Sequence, residues 1–69
     1  MTADKMFEEL GYEKCTDEVA GLIDYTQDVG YMIYHTTFFL YNKAYSTDTV
    51  GMKTNKAIQI KLKELGWIE

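Results

Sequence analysis

Eleven residues in the middle of the chain, Tyr31 to Tyr41, constrain the fold most strongly. They lie inside a run without Asp, Glu, Lys or Arg that extends from Val29 to Asn42, and they are rich in β-branched and aromatic side chains. Such side chains favour strands. Alternate positions of a strand point to opposite faces, which separates Met32, Tyr34, Thr36, Phe38 and Leu40 from Tyr31, Ile33, His35, Thr37, Phe39 and Tyr41. We therefore predict a strand with apolar residues on both faces.

Two further strands are predicted on either side of this one. Val19 to Tyr25 has the composition of a strand, and Gln27 to Gly30 has that of a turn. Asn42 and Lys43 form a candidate two-residue turn, in which asparagine tolerates a positive φ. A third strand is expected from Ala44 to about Thr47. Together the three strands form an antiparallel meander.

Two segments lie outside these three strands. Tyr12 to Cys15 is a candidate for a short edge strand, and Asp48 to Lys53 is expected to be the loop before the last helix.

The first element of the chain is predicted to be a short helix. Thr2 can cap it and Asp4 lies in its first turn, while Met6, Phe7 and Leu10 share one face. Gly11 is expected to end the helix in a left-handed conformation, with Tyr12 packing back on Phe7.

The last helix ends with the same chemistry, because Leu65, Gly66 and Trp67 repeat the order leucine, glycine, aromatic. Ile58, Leu62 and Leu65 form a helical stripe with Thr54 as a plausible cap, and Ile60 is expected at the edge of the buried stripe. The alternation of Ile58, Ile60 and Leu62 also suits a strand. We predict helix from Ile58 to Leu65, since lysine, glutamine, leucine and glutamate favour it.

These elements predict a single α+β domain over residues 1–69. It comprises a short N-terminal helix, a three-stranded antiparallel meander and a C-terminal helix packed on one sheet face. A chain of this length buries only about 60% of the surface that its unfolded form exposes, so its stability is expected to be marginal.

Composition limits the compartment and the chemistry. Cys15 is the only cysteine, which excludes an intrachain disulfide and a thiolate metal cluster and is typical of a reducing cytoplasm. Residues 1–10 lack the basic start and apolar core of a signal peptide, and the uncharged run is too short for a transmembrane helix. We predict a cytoplasmic protein that does not enter membranes.

Several stretches of the chain carry a resemblance to a known group. Residues 1–14, MTADKMFEELGYEK, resemble the start of small uncharacterised proteins encoded by phages and prophages of Gram-positive bacteria. Further matching positions are Phe38, Leu40, Asn42, Lys43, Leu65, Gly66 and Trp67. The resemblance covers about half of the chain and implies a phage or prophage origin and an α+β fold. It implies no particular activity.

Catalytic and cofactor chemistry is not indicated. His35 is the only histidine and lies within a strand, which favours a hydrogen-bonded structural role over that of a catalytic base. The acidic neighbours of Cys15 disfavour its thiolate. No spacing of residues indicates a metal site, and lone glycines do not form a phosphate loop. We therefore predict no enzyme, no cofactor and no metal.

Nucleic-acid binding is disfavoured by the charge of the chain. Eleven acidic residues against seven lysines and no arginine give −4, whereas this mode of binding needs a cationic groove. The last helix is locally basic, but Lys53 and Lys56 are expected on a different side from Lys61 and Lys63, so that no single stripe forms.

The central strand is predicted to carry an interaction surface. Helices cover one face of a two-layer sheet, and we expect Met32, Phe38 and Leu40 to face them. The other face then exposes a patch typical of protein interfaces, namely Tyr31, Ile33, His35, Phe39 and Tyr41. A helix that crosses this face instead remains an alternative.

Three functions follow from these patterns. The leading hypothesis is a protein–protein interaction module that binds another protein or itself as a homodimer. The second is an acidic inhibitor or nucleic-acid mimic acting on a host nucleic-acid enzyme. It rests on residues 1–35, where eight acids and two lysines give −6, whereas residues 36–69 carry +2 from five lysines and three acids. The third is weak nucleic-acid binding through the last helix.

Overall fold

A computed structural model of the protein describes residues 1–49 and 51–69 and shows an α+β fold. Two helices lie on one face of a four-stranded antiparallel sheet whose strand order follows the chain. In chain order the elements are α1 (Ala3–Glu9), β1 (Glu13–Asp17), β2 (Leu22–Asp28), β3 (Ile33–Phe39), β4 (Ala44–Thr47) and α2 (Met52–Glu64). The α+β prediction and the position of the last helix on the sheet are confirmed. Neither helix combines the length and the apolar content needed to cross a membrane.

The prediction of three strands is wrong because the sheet has a fourth, β1. All five of its residues pair with β2, from Glu13 opposite Thr26 to Asp17 opposite Leu22. Every β1 residue is exposed, and three of the five carry a charge. Such a segment lacks the apolar alternation by which a sequence shows the bounds of a strand. The candidate Tyr12 to Cys15 is therefore shorter than β1 and displaced from it. Backbone pairing at the sheet edge defines this strand.

The predicted bounds of the second strand are shifted. Val19 is 91% exposed and belongs to the β1–β2 turn, where Asp17 accepts a hydrogen bond from the Ala20 N–H. The strand β2 instead continues through Gln27 to Asp28. The next hairpin closes with the Val29 N–H donating to the Met32 carbonyl, so the prediction of a turn from Gln27 to Gly30 is wrong.

The second half of the chain follows its predictions more closely. Strand β4 has the predicted bounds, but Lys43, rather than Asn42, takes the positive φ in the turn before it. Helix α2 confirms helix over strand and begins at Met52, capped by Gly51. The predicted cap Thr54 lies buried within the helix, 3.2 Å from the hydroxyl of Tyr12. The loop predicted from Asp48 to Lys53 also includes Val50, which lies outside the described residues.

Both helices end as predicted. Gly11 and Gly66 have φ values of +91° and +76°. The residue after each glycine donates its N–H to a carbonyl five residues back, from Tyr12 to Phe7 and from Trp67 to Leu62. These are Schellman motifs, which satisfy carbonyls at the helix end. They also bring Tyr12 to 5.3 Å from Phe7, between ring centroids.

The core combines aromatic side chains from the sheet and the first helix with aliphatic side chains, which include those contributed by α2. Tyr25 stacks on Phe7 with their ring centroids 4.0 Å apart and meets Phe38 edge-on at 5.9 Å. All three side chains are nearly or completely buried. Phe38 faces the helices as predicted, but Met32 and Leu40 lie just beyond the strand ends and are 43% and 36% exposed. Their predicted inward orientation is therefore wrong.

The lysines of α2 are arranged differently from the prediction. Lys53, Lys56 and Lys63 are exposed, and helical periodicity places them on one side of α2. Lys61 lies on the opposite, buried side, 3.7 Å from Asp4 Oδ1. The helix therefore carries one exposed lysine stripe, defined here as Lys53, Lys56 and Lys63.

Candidate functional site on the outer sheet face

The side of the sheet that faces away from both helices is the candidate functional site. Strand alternation, together with the burial of Ile23, Tyr25, Thr36 and Phe38 on the helix side, identifies its members. We define the outer face by these residues: Glu13, Cys15, Asp17, Leu22, Asp24, Thr26, Asp28, Ile33, His35, Thr37, Phe39, Ala44 and Ser46. Among the elements that the structure describes, both helices pack on the other side.

A hydrogen-bonded group occupies the middle of the outer face. Asp24 Oδ2 lies 3.1 Å from His35 Nδ1, and Asp24 Oδ1 accepts a 2.8 Å hydrogen bond from the Thr37 hydroxyl. Thr37 is directly opposite Asp24 in the β2–β3 register, and His35 is one diagonal step away. The backbone N–H of His35 also donates to Asp48 Oδ2 at 3.0 Å. These contacts fix the orientation of an imidazole that is half exposed.

Apolar side chains occupy the two ends of the outer face rather than its middle. At one end Leu22, Phe39 and Ala44 form a row across three strands. At the other end lies Ile33, which is 51% exposed. Ile33 and Phe39 are six residues apart on β3, or about 20 Å in an extended strand. The polar group around Asp24 separates these two apolar regions.

The structure places the five predicted interaction residues in three locations. Ile33, His35 and Phe39 alternate along β3 on the outer face. Tyr41 lies beyond the strand end, where its hydroxyl donates to the carbonyls of Glu18 and Val19.

Tyr31 lies in the β2–β3 turn and is 83% exposed. Its side chain is close enough to that of Tyr34 to raise the pKa of Tyr34. Tyr41 thus contacts the β1–β2 turn, and Tyr31 contacts Tyr34, which lies on the helix side of the sheet.

The outer face is acidic. Glu13, Asp17, Asp24 and Asp28 belong to it, and the strand residues described on this face include no lysine. The only lysine of β1, Lys14, points to the helix side, where its Nζ lies 2.8 Å from Asp4 Oδ2. Without salt screening, four carboxylates on one sheet face attract cationic groups and repel a second surface of the same kind.

The reactive side chains of the outer face do not converge. Cys15 is opposite Asp24 in the β1–β2 register and is exposed, whereas His35 lies on β3, beyond the intervening strand. Among the described residues, His, Cys, Asp and Glu side chains do not form a group of three or more that could hold a metal ion. The geometry instead provides an open surface with an oriented imidazole, carboxylates and apolar ends.

Of the thirteen outer-face residues, the predicted surface contains Ile33, His35 and Phe39 and lacks the other ten, among them Asp24, Thr37 and Leu22. Thr37 was assigned to the correct side of β3, but its partner Asp24 lies on β2, whose bounds were shifted. The correct β2–β3 register pairs Asp24 with Thr37 and Leu22 with Phe39, and it follows once the bounds of β2 are known.

Fold and surface together define a two-layer α+β domain with one sheet face that neither of the described helices covers. Comparison with models of protein families, with curated proteins and with solved structures gives no match to the chain. Arguments about function therefore rest on the residues of the outer face.

Proposed function

We propose that the protein is a small protein–protein interaction module that binds through its outer sheet face. The observation that carries this proposal is the exposure of Ile33 and the partial exposure of Phe39 on a sheet face that neither described helix covers. Apolar side chains at both ends with polar groups between them suit an interface in which partner contacts bury the apolar parts and satisfy the polar ones. Catalysis is not part of this proposal.

The proposed setting is the cytoplasm of a Gram-positive bacterium carrying a phage or prophage. The resemblance of residues 1–14 and of the segment Leu65–Trp67 supports that origin. The free and exposed thiol of Cys15 supports a reducing compartment.

Affinity capture with surface variants tests the interaction proposal. The tagged parent, the variant Ile33→Lys/Phe39→Lys and the control Glu9→Lys are each incubated with nuclease-treated lysate of a Gram-positive bacterium. Glu9 is exposed and lies on α1, so its variant changes the net charge by the same +2 as the double variant but away from the outer face. We expect a partner that the parent and the control retain and that the double variant loses. A partner retained equally by a folded double variant would contradict the proposal.

A second candidate function is an acidic inhibitor or nucleic-acid mimic that acts on a host nucleic-acid enzyme. The four carboxylates on the outer face favour it, because cationic nucleic-acid sites bind such surfaces. If this second candidate is correct, duplex DNA should displace the partner captured from the lysate. Glu13→Gln/Asp28→Asn should weaken capture, whereas Glu8→Gln/Glu9→Gln on α1 should not. A partner that duplex DNA leaves bound would contradict this candidate.

A further inference from the structure

Helix α2 and the outer face carry opposite charges on opposite sides of the molecule. The lysine stripe of α2 is exposed on the helix side, and Met52 adds an exposed apolar side chain beside it. On the other side, the four outer-face carboxylates accompany the apolar ends formed by Phe39 and Ile33.

From this arrangement we propose that the outer face of one copy binds the lysine stripe of a second copy. The proposal rests on the interaction function above and names a partner for it. Because the two contacting surfaces differ, the pair retains one free lysine stripe on one copy and one free outer face on the other. Such head-to-tail contacts form a closed ring where the rotation between copies closes and an open chain where it does not.

The spacing of the charges suits this contact. Lys56 and Lys63 are seven residues apart on α2, about 10 Å along a helix axis. Glu13 and Asp17 are four residues apart on β1, about 13 Å along a strand. The two sets of opposite charges therefore extend over similar lengths.

The dimensions of the molecule also suit this contact. The molecule measures 32 × 26 × 18 Å, and the 13 residues of α2 span about 20 Å along the helix axis. Helix α2 of one copy is therefore shorter than either of the two longer dimensions of the other copy.

Charge favours the head-to-tail contact over a symmetric one. Two outer faces brought together would oppose eight carboxylates, four from each copy, and such like charges repel. Binding to the lysine stripe instead places ammonium groups against carboxylates, and the long lysine side chains can lie along the apolar ends.

Sedimentation equilibrium on the untagged protein tests this inference. At several hundred micromolar and about 20 mM salt, we expect the parent to have a weight-average mass at least about twofold above that of the monomer. In about 500 mM salt, where charges are screened, this mass should fall to that of the monomer.

Two variants, each with one altered surface, make the test specific. Lys56→Glu/Lys63→Glu alters the stripe, and Glu13→Lys/Asp28→Asn alters the outer face while asparagine keeps the oxygen that accepts from the Gly30 N–H. Each variant alone should remain monomeric. Their equimolar mixture should form a 1:1 dimer and stop there, because each variant keeps only one intact surface. Circular dichroism spectra establish that both variants are folded.

Three results would overturn the inference: a monomeric parent at low salt, a mixture that stays monomeric, or a parent dimer that persists in the stripe variant. The last would indicate a symmetric outer-face pair. A monomeric parent leaves the proposed function standing, since the capture experiment tests that function independently.

Discussion

The hydroxyl of Tyr25 donates a 2.5 Å hydrogen bond to Asp4 Oδ1 and so connects the buried middle of β2 to the first turn of α1. The second carboxylate oxygen accepts from Lys14 Nζ at 2.8 Å, and Lys61 Nζ lies 3.7 Å from the first. One partly exposed carboxylate thus contacts groups from two strands and from α2. The hydrogen bonds from Lys14 and then Tyr25 lower the pKa of Asp4. Burial and the nearby Asp4 raise the pKa of Tyr25.

Acid should weaken the fold partly through Asp4. Because the pKa of Asp4 is lowered in the folded protein, its contribution to stability is present above the ordinary carboxyl value and is lost as pH falls below about 4. Asp4→Asn should therefore unfold at lower urea concentration than the parent at pH 7, and this difference should shrink at pH 3. Glu9→Gln, on the same helix, is the control. An equal difference at both pH values would contradict the prediction.

Alkali should weaken the fold through Tyr25. A raised pKa in the folded state gives stability that is present below the ordinary tyrosine value and is lost as pH rises above about 10. Tyr25→Phe should cost about 1–3 kcal/mol at neutral pH, since it removes a hydrogen bond to a carboxylate. Between pH 8 and pH 11, the urea concentration at the midpoint of unfolding should then fall less for Tyr25→Phe than for the parent. Tyr45→Phe is the control, and parallel losses in Tyr25→Phe and the parent would disprove the assignment.

Alanine at either helix-ending glycine should destabilise the protein through the backbone alone. A Cβ at Gly66 would have no neighbouring atom within 4 Å, and one at Gly11 would make an ordinary 3.6 Å contact. Their positive φ values disfavour any side chain, so each substitution should cost about 1 kcal/mol in urea unfolding. Gln59→Ala is the control, because Gln59 is exposed and lies within α2, where alanine fits the ordinary helical backbone. Equal stability of all three variants and the parent would show that the φ values do not matter.

Gly21 should be less tolerant of alanine than Gly66 because Tyr41 covers it. A Cβ at Gly21 would lie 2.7 Å from Tyr41 Cε2, in addition to the strain of a φ of +69°. Gly21→Ala should therefore cost more than Gly66→Ala. Combining it with Tyr41→Ala should remove the excess, so the two free-energy changes should not add. The test is a double-mutant cycle measured by urea unfolding. Additive changes in the free energy of unfolding would mean that the Tyr41 ring moves aside without cost.

Local signals in the sequence predicted much of the fold, and long-range pairing accounts for most of the errors. The Schellman endings were predictable because a glycine and the following aromatic residue determine them within one turn. The faces of β3 followed from alternation alone. Lys61 was misplaced because its burial depends on which side of α2 meets the sheet. The contact between Asp24 and His35 required the β2–β3 register, which the apolar Val19 obscured by extending the predicted strand in the wrong direction.

Strand β1 is joined to the fold differently from the other three strands. Its backbone pairs with β2 over five residues, yet each of its side chains is exposed, so its separation from the sheet would uncover little apolar surface of its own. Regions of this kind open locally at low free-energy cost. Amide hydrogens of β1 should therefore exchange with deuterium well before those shared by β2 and β3. Apart from Lys14 and Asp17, whose side chains bond to Asp4 and to the Ala20 N–H, the residues of β1 should also tolerate polar substitution, because pairing of the backbone holds the strand in place.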